Sequence, residues 1–486
     1  MQKQLNIPKE IRAALVILKN AGFEAFMVGG CVRDLILGII PKDWDITTNA
    51  NPQKLQEIFP NSFYENKFGT VSVVTGSDDP RLRAIEITPF RIEGKYSDKR
   101  HPDEIHFAKT LEEDLKRRDF TINAMAMGSD STLIDPLEGQ KDLEKKLVRA
   151  VGNPEDRFEE DALRIMRAIR LASEMTFQIE GKTKTALEKK ANLLKVIAHE
   201  RIRDEFSKII LSSKPSVGLN TLRELGILNI FLSELEEGFG VGQNKHHIYT
   251  VWEHNLNALD HAAKEKWPLI VRAAALFHDI GKPRSKKGDG PDSTFYGHEI
   301  IGAKMALKIL SRLKYPTEFI EKVAKLVRYH LFYYNVDEVS ESSVRRLIRQ
   351  VGPEDMEDLI RVRICDRIGS GVPKAEPYKL RHFRFLVEKL QRDPISVKML
   401  KINGDRIKEL TNLPQSIKVG LVLNALMDEV LEDPQKNEKD YLEKRANELN
   451  KLSEKELEKL AQSGKSKKMG LEEEEIAKIK KKHYVK

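Results

Sequence analysis

The chain has 486 residues, 33% charged and 40% hydrophobic, and its formal charge of +8 is the small remainder of 83 basic and 75 acidic side chains. That balance excludes disorder along the whole chain, and at roughly 150 residues per domain the length predicts about three domains. No run approaches the ~18 apolar residues of a membrane span, and the segment Met1–Glu10 lacks the apolar core of a signal peptide. Two cysteines, Cys31 and Cys365, supply neither a disulfide framework nor a thiolate zinc cage. The expectation is a cytoplasmic, multi-domain protein with no membrane partner, whose thin positive excess permits a nucleic-acid partner without demanding one.

Four stretches follow in chain order. Residues 1–150 mix β-branched runs (Val71–Thr75, Arg83–Pro89, Thr132–Asp135) with helical ones in unequal alternation, which predicts an α+β unit. Residues 151–235 turn helical, with Leu163, Met166 and Ile169 at helical spacing. Residues 236–395 continue the helices and gather the histidines, around a glycine- and lysine-rich insert, Lys286–Gly290, expected to be a mobile loop. Residues 396–486 are helical again and end in an alternately charged tail, Glu454–Lys486, expected to be a solvated helix or partly disordered.

The first chemical signal is Val28-Gly29-Gly30-Cys31-Val32-Arg33-Asp34, followed by Asp43-Trp44-Asp45-Ile46. A Gly-Gly pair between a strand and a helix lets backbone N–H groups approach an anion, and Arg33 adds a forked donor to the same phosphates. A purely structural turn has the same spelling. If Asp43–Thr47 is a strand, Asp43 and Asp45 share a face, and two carboxylates so close call for a cation. The pair therefore predicts Mg²⁺, which prefers oxygen ligands and substrate phosphates. Glu86, in Ala84-Ile85-Glu86-Ile87-Thr88, is the best candidate for a third carboxylate, although an exposed strand glutamate would look alike. Together these residues suit metal-assisted phosphoryl transfer.

Next come Arg118, Asp119 and Asn123, in Arg117-Arg118-Asp119-Phe120-Thr121-Ile122-Asn123. A helix would bring Asn123 onto the face of Asp119, in a cluster suited to a triphosphate and a ribose hydroxyl; a capped helix start is the structural alternative. Beyond them Asp161, Arg164, Arg167 and Arg170 recur every third residue, as a stripe expected on one helix. An ion-paired surface would give the same spacing. The chemistry is more particular: a carboxylate accepts from an exocyclic amino group while a guanidinium donates to the adjacent ring acceptor. Cytosine and adenine present that order of groups and guanine and uracil the reverse, so one Asp–Arg pair can admit CTP and ATP and reject GTP and UTP.

These motifs, in this order, resemble those of class II tRNA nucleotidyltransferases and bacterial poly(A) polymerases of the polymerase-β superfamily, across roughly the first 235 residues. The resemblance implies a small mixed-sheet head and a helical neck. It also implies catalytic magnesium on Asp43 and Asp45, with Gly30, Arg33 and Arg118 on the triphosphate and sugar beside Gly29. Asp161 and Arg164 would read the base, with Arg167 and Arg170 nearby. The segment Glu93–Arg100 resembles the family's flexible loop, linked to the switch from C to A addition.

The histidine region carries a second chemistry. His254, His278-Asp279, His298, His330 and Asp366 fall on successive expected helices in a chain with 12 histidines. Imidazoles with carboxylates suit Mn²⁺, Fe²⁺, Co²⁺, Ni²⁺ or Mg²⁺. The arrangement resembles the HD superfamily of metal-dependent phosphohydrolases, which implies His254, His278, Asp279 and Asp366 as core ligands and His298 and His330 as the extra ligands of two-metal members. Head, neck and HD domain together are similar to bacterial HD-type CCA-adding enzymes, a likeness that Val419–Met427 and Leu431–Asn437 extend towards the C-terminus. The expected activity is addition of C, C and A to the tRNA 3′ end from CTP and ATP, with an added phosphohydrolase. The alternatives are a poly(A) polymerase, a CC-only or A-only enzyme, or an HD phosphohydrolase whose head serves to bind RNA.

Overall fold

A computed structural model describes residues 6–64, 69–93, 105–244, 248–336, 338–372, 375–391, 400–412 and 416–485. The chain forms two compact units, Met1–Leu331 with Arg361–Pro373, and Phe332–Ile360 with Lys374–Lys486.

The first unit opens with a mixed sheet. Its strands are β1 (Ala25–Val28), β2 (Asp45–Thr48), β3 (Ser62–Tyr64), β4 (Val71–Val74) and β5 (Ala84–Pro89), followed by the pair β6 (Arg91–Glu93) and β7 (Ile105–Phe107), and then β8 (Ala126–Met127) and β9 (Leu133–Ile134). The sheet order is β3-β4-β5-β2-β1-β8-β9, with β6 and β7 as a separate antiparallel ladder. Within this seven-stranded sheet β2 and β5 alone run parallel among the described pairs, with Asp45 in register with Glu86. This is the expected α+β head. Ile46, Ile85 and Ile87 are fully buried, so alternation turns Asp45 and Glu86 to the opposite face. Of the segment expected as a flexible loop, Glu93 ends β6, and residues 94–100 lie outside the described residues.

Helices take over after residue 150: Pro154–Glu160, Leu163–Met175, Gly181–Lys190, His199–Leu211, Pro215–Glu224 and Leu228–Glu236. Leu163, Met166 and Ile169 are buried as their spacing requires. One departure is a short parallel ladder, Leu147–Val148 with Gln178–Ile179. Farther on stand Val251–Lys264, Leu269–Phe277, His298–Arg312 and Thr317–Tyr329, together with Met356–Gly369, a helix whose first five residues belong to the second unit. The Lys286–Gly290 insert belongs to a longer loop closed by reciprocal bonds of 3.0 Å between the backbones of Lys287 and Thr294. Arg272 lies buried on Leu269–Phe277 and donates to the carbonyls of Trp267, Ile210, Ser212 and Ala263.

The second unit is helical throughout its described residues. Ile407, Val422, Leu426, Leu442, Leu449 and Leu457 form its core. The charged tail, expected to be a solvated helix or partly disordered, is one helix, Glu454–Lys482. Ser453 and Glu456 close a capping box at its start, and Leu457 and Ile479 are buried, so two apolar anchors dock a sequence whose composition is otherwise that of a solvent-facing face. No helix among the described residues is long and apolar enough to cross a membrane.

Candidate active site and candidate metal centre

In the head, β1 ends at Val28 and the chain reverses through Gly29, whose φ of +84° is the left-handed region. A Cβ there would lie 3.1 Å from Arg118 Nη1 and 3.7 Å from Asp45 Oδ2, so the glycine turn, Arg118 and Asp45 meet at one place. The expected strand Asp43–Thr47 begins two residues late, at Asp45. Asp43 is exposed just before it, while Asp45 is half-buried in the strand. Burial raises the Asp45 carboxyl above its ordinary range; Arg118 opposes that and the Asp43 charge adds to it. A carboxylate pair of this kind fits a hard divalent cation, which Asp43 and Asp45 would hold with Glu86 beside Asp45 across the parallel register.

Arg33 donates through Nη1 to Asn123 Oδ1 at 2.7 Å and through Nε and Nη2 to Asp34. Asn123 in turn donates to Asp119 Oδ1 at 3.2 Å. The two do meet, but through a 3₁₀ turn at Thr121–Asn123 and not along the expected helix. Asp119 is largely filled: Phe120 N also donates to Oδ1, and Arg167 donates through Nε and Nη2 to Oδ2. Burial pushes Asp119 up, yet the Arg167 guanidinium outweighs it and holds the carboxyl well below the usual range.

Asp161 does not lie on one helix with the arginines. The helix Pro154–Glu160 stops there and the next begins at Leu163, because the Asp161 carboxylate accepts from Leu163 N at 3.0 Å in a capping role. Arg201 Nη2 also reaches Asp161, at 3.3 Å. Arg164 is held by Glu160 at 2.7 Å and by the Arg117 carbonyl at 3.1 Å. Arg170 sits apart, paired with Glu205 at 2.7 Å and Glu174 at 3.2 Å. Glu160 and Arg201 escaped the sequence reading. The i, i+4 spacing from Glu160 to Arg164 was a usable signal, whereas no local pattern points to Arg201.

In the helical half, His254, His278, Asp279 and Asp366 converge, and Asp279 is shared with His298 and His330. Three of these histidines stand at helix ends: His278 and His330 follow the last turns of Leu269–Phe277 and Thr317–Tyr329, and His298 opens His298–Arg312. Each places Nδ1 2.7 Å from the carbonyl three residues earlier, of Ala275, Phe295 and Val327. A carbonyl only accepts, so Nδ1 carries the proton and Nε2 is left with a lone pair for the centre. His254 Nε2 and His278 Nε2 are 2.8 Å apart, and Asp279 Oδ2 lies 3.0 Å from the first and 3.3 Å from the second. His298 Nε2 is buried 3.2 Å from Asp279 Oδ1 and makes no hydrogen bond among the described residues. Burial pulls the His278 imidazole down, but the Asp279 and Asp366 charges carry it up to about 10, so a proton competes for the Nε2 lone pair that a metal would take. Lone pairs this close, facing two carboxylates, fit a cation: His254, His278, Asp279 and Asp366 would hold one divalent metal, and Asp279, His298 and His330 a second. Gly281 makes this packing possible, since a Cβ there would meet the His298 carbonyl at 2.2 Å and Gly302 N at 2.6 Å.

Both cysteines are free and buried, and burial pushes the Cys31 thiol up to about 11. Neither is a nucleophile at neutral pH.

These two centres define a nucleotidyltransferase head followed by a helical, HD-type metal centre. Family models match in the same order: "Poly A polymerase head domain" over residues 25–149, "Probable RNA and SrmB- binding site of polymerase A" over 176–239, and "HD domain" over 246–368. An A-adding tRNA nucleotidyltransferase of Deinococcus radiodurans is 32% identical over 420 residues, 83% of this chain and 91% of that protein. A CCA-adding enzyme of Ligilactobacillus salivarius is 47% identical over 218 residues, 44% of this chain and 53% of that protein. The chain thus spans about half the length of such curated relatives. The crystal structure of the Bacillus stearothermophilus CCA-adding enzyme in complex with CTP superimposes with a TM-score of 0.59 at 27% identity, covering 91% of this chain and 98% of that one. The chain belongs to the class II tRNA nucleotidyltransferase family, that of the CCA-adding enzymes with an HD domain.

Proposed function

We propose that this protein adds C, C and A to the 3′ end of tRNA, without a nucleic-acid template, from CTP and ATP with release of pyrophosphate. The meeting of Asp45, Arg118 and the Gly29 turn carries this reading. Mg²⁺ on Asp43 and Asp45 would supply charge neutralisation at the α-phosphate. The chain's own part is to grip the triphosphate with Arg33, Arg118 and the glycine turn and to hold the tRNA 3′-hydroxyl in line with that phosphorus. Asp119 and Asn123 line the sugar side, with Arg167 and Arg170 supporting the helix behind them. Asp161 keeps acceptor capacity for an exocyclic amino group, and Arg164 donates beside it. We also propose a cytoplasmic location, which the two free buried thiols support.

A second reading, addition of the terminal A alone, is favoured by the A-adding relative that aligns along most of the chain. One experiment separates the two. A tRNA transcript lacking its CCA end should take C from CTP alone, nothing from ATP alone, and three residues from both. Incorporation confined to ATP on a transcript ending in CC would establish the second reading instead. In the same assay Arg164→Ala should lower discrimination against UTP and GTP by about 10²-fold. Unchanged discrimination would refute base reading by that residue.

We further propose that the HD centre hydrolyses phosphoesters, such as a 2′,3′-cyclic phosphate, with a transition metal (Ni²⁺, Mn²⁺, Co²⁺ or Fe²⁺) or Mg²⁺. With Ni²⁺ or Mn²⁺ added, His278→Ala should reduce this release by about 10²-fold or more while nucleotide addition persists. Equal release by the variant would overturn the assignment.

A further inference from the structure

We infer that Asp114, outside every motif residue assigned above, is a positioning residue that sets the Arg118 guanidinium against the triphosphate site. The inference rests on the nucleotidyl-transfer reading of the head.

Asp114 stands on the helix Leu111–Lys116 and is fully buried, yet it is a charged carboxylate and not the apolar residue its burial invites. Its oxygens are shared among three elements. Oδ1 accepts from Arg117 Nε at 2.9 Å and Nη2 at 2.7 Å, and from the backbone N–H of Arg91 at 3.3 Å, where β6 begins. Oδ2 accepts from Arg118 Nη2 at 3.2 Å and lies 3.5 Å from Thr47 Oγ1. Thr47 is two residues beyond Asp45 on β2, so the two share a face. One carboxylate thus references Arg118 to the strand that carries Asp45.

The consequence lies in how the guanidinium is divided. Asp114 occupies Nη2, while Nη1 lies 3.1 Å from where a Gly29 Cβ would be. Arg118 Nε is buried and has no hydrogen-bond partner among the described residues. A buried donor of this kind is costly unless a ligand meets it. A planar fork fixed along one edge presents the other in a single orientation, which suits phosphate oxygens; a lysine ammonium cannot serve both edges at once. A buried ion pair is weak evidence of a stabilising role, because apolar residues commonly serve as well, so what Asp114 contributes is geometry.

The test is a mutational cycle on the full chain, read by calorimetric binding of inorganic tripolyphosphate with Mg²⁺ and by KM for CTP and for tRNA. Asp114→Asn and Arg118→Ala should each weaken tripolyphosphate binding about tenfold, and the double variant should be weaker than either single by no more than about twofold, since both remove one interaction. KM for CTP should rise in Asp114→Asn while KM for tRNA stays put, a split that general loosening of the head would not produce. Wild-type affinity in Asp114→Asn, additive losses in the double variant, or no tripolyphosphate binding by the parent protein would each overturn the inference. Should Asp114→Asn fail to fold, Arg118→Lys decides: loss of affinity like that of Arg118→Ala supports the shared fork, and full affinity refutes it. If the cycle behaves as expected but no tRNA is extended, the transfer reading falls and the positioning role stands.

Discussion

Replacing Asp45 by asparagine is expected to reduce nucleotide addition by about 10³-fold or more in a protein that melts no lower than its parent. The two halves of that expectation have one origin. Burial and the neighbouring Asp43 raise the Asp45 carboxyl, so the fold favours its protonated form. The ionised form is then a liability that grows as pH rises from the unfolded carboxylate range through the higher folded value. The amide removes that liability while keeping the side chain's shape. The amide lacks the charge that would hold a metal cation, and with it the neutralisation that the cation would supply at the α-phosphate. Measuring labelled CTP incorporation beside a metal-free thermal melt checks both halves. A variant that melts well below the parent, or that retains substantial incorporation, would contradict this account of the carboxylate pair.

Arg272→Met should destabilise the first unit by about 3–5 kcal/mol, which a urea titration of the full chain would read as a lower midpoint for that transition. Arg272 is 5% exposed, and its partners among the described residues are backbone carbonyls. Its charge is met by carbonyls at the ends of His199–Leu211 and Val251–Lys264, where the negative poles of two helices converge. Burial lowers its pKa, although a guanidinium keeps its proton in proteins. Methionine fills much of the volume, so the loss falls on the carbonyls of Ile210, Ser212, Ala263 and Trp267, which are stranded without a donor. A midpoint unchanged from the parent would mean that water replaces the guanidinium.

The sequence carried a good deal of this and failed in physically intelligible places. Alternation and β-branching marked the strands holding Asp45 and Glu86, but not that the two run parallel and in register, which depends on the crossover between them. Spacing by threes put Asp161 on a helix; its carboxylate instead caps the following one, as short acidic side chains do when a backbone N–H is within reach. The histidines were visible as a composition anomaly, whereas the helix-end carbonyls that fix their tautomers were not, because those depend on where each helix stops. Arg201, at 3.3 Å from Asp161, and Arg272, bonded to Ile210 and Ser212, make contacts across tens of residues that no local periodicity encodes. The charged tail is helical as expected, but its anchoring was hidden for a related reason. Two buried residues, Leu457 and Ile479, are enough to dock a helix, yet are too sparse to register as an apolar stripe.

The path of the chain between its two units limits how the protein can be taken apart. The polypeptide leaves the first unit after Leu331 and returns at Arg361, so Asp366 arrives only after a stretch of the second unit has been laid down. A single cut therefore keeps all six candidate ligands only if it falls beyond Asp366, with Phe332–Ile360 of the second unit retained. A truncation after residue 331 keeps His254, His278, Asp279, His298 and His330 and loses the sixth partner. A ribosome must likewise have released residue 366 before the centre can close, although the head and neck, whose motifs end by Arg170, are free to fold much earlier. Nucleotide addition should thus be the activity that survives C-terminal shortening, and metal capture the one that demands nearly the whole of Met1–Pro373.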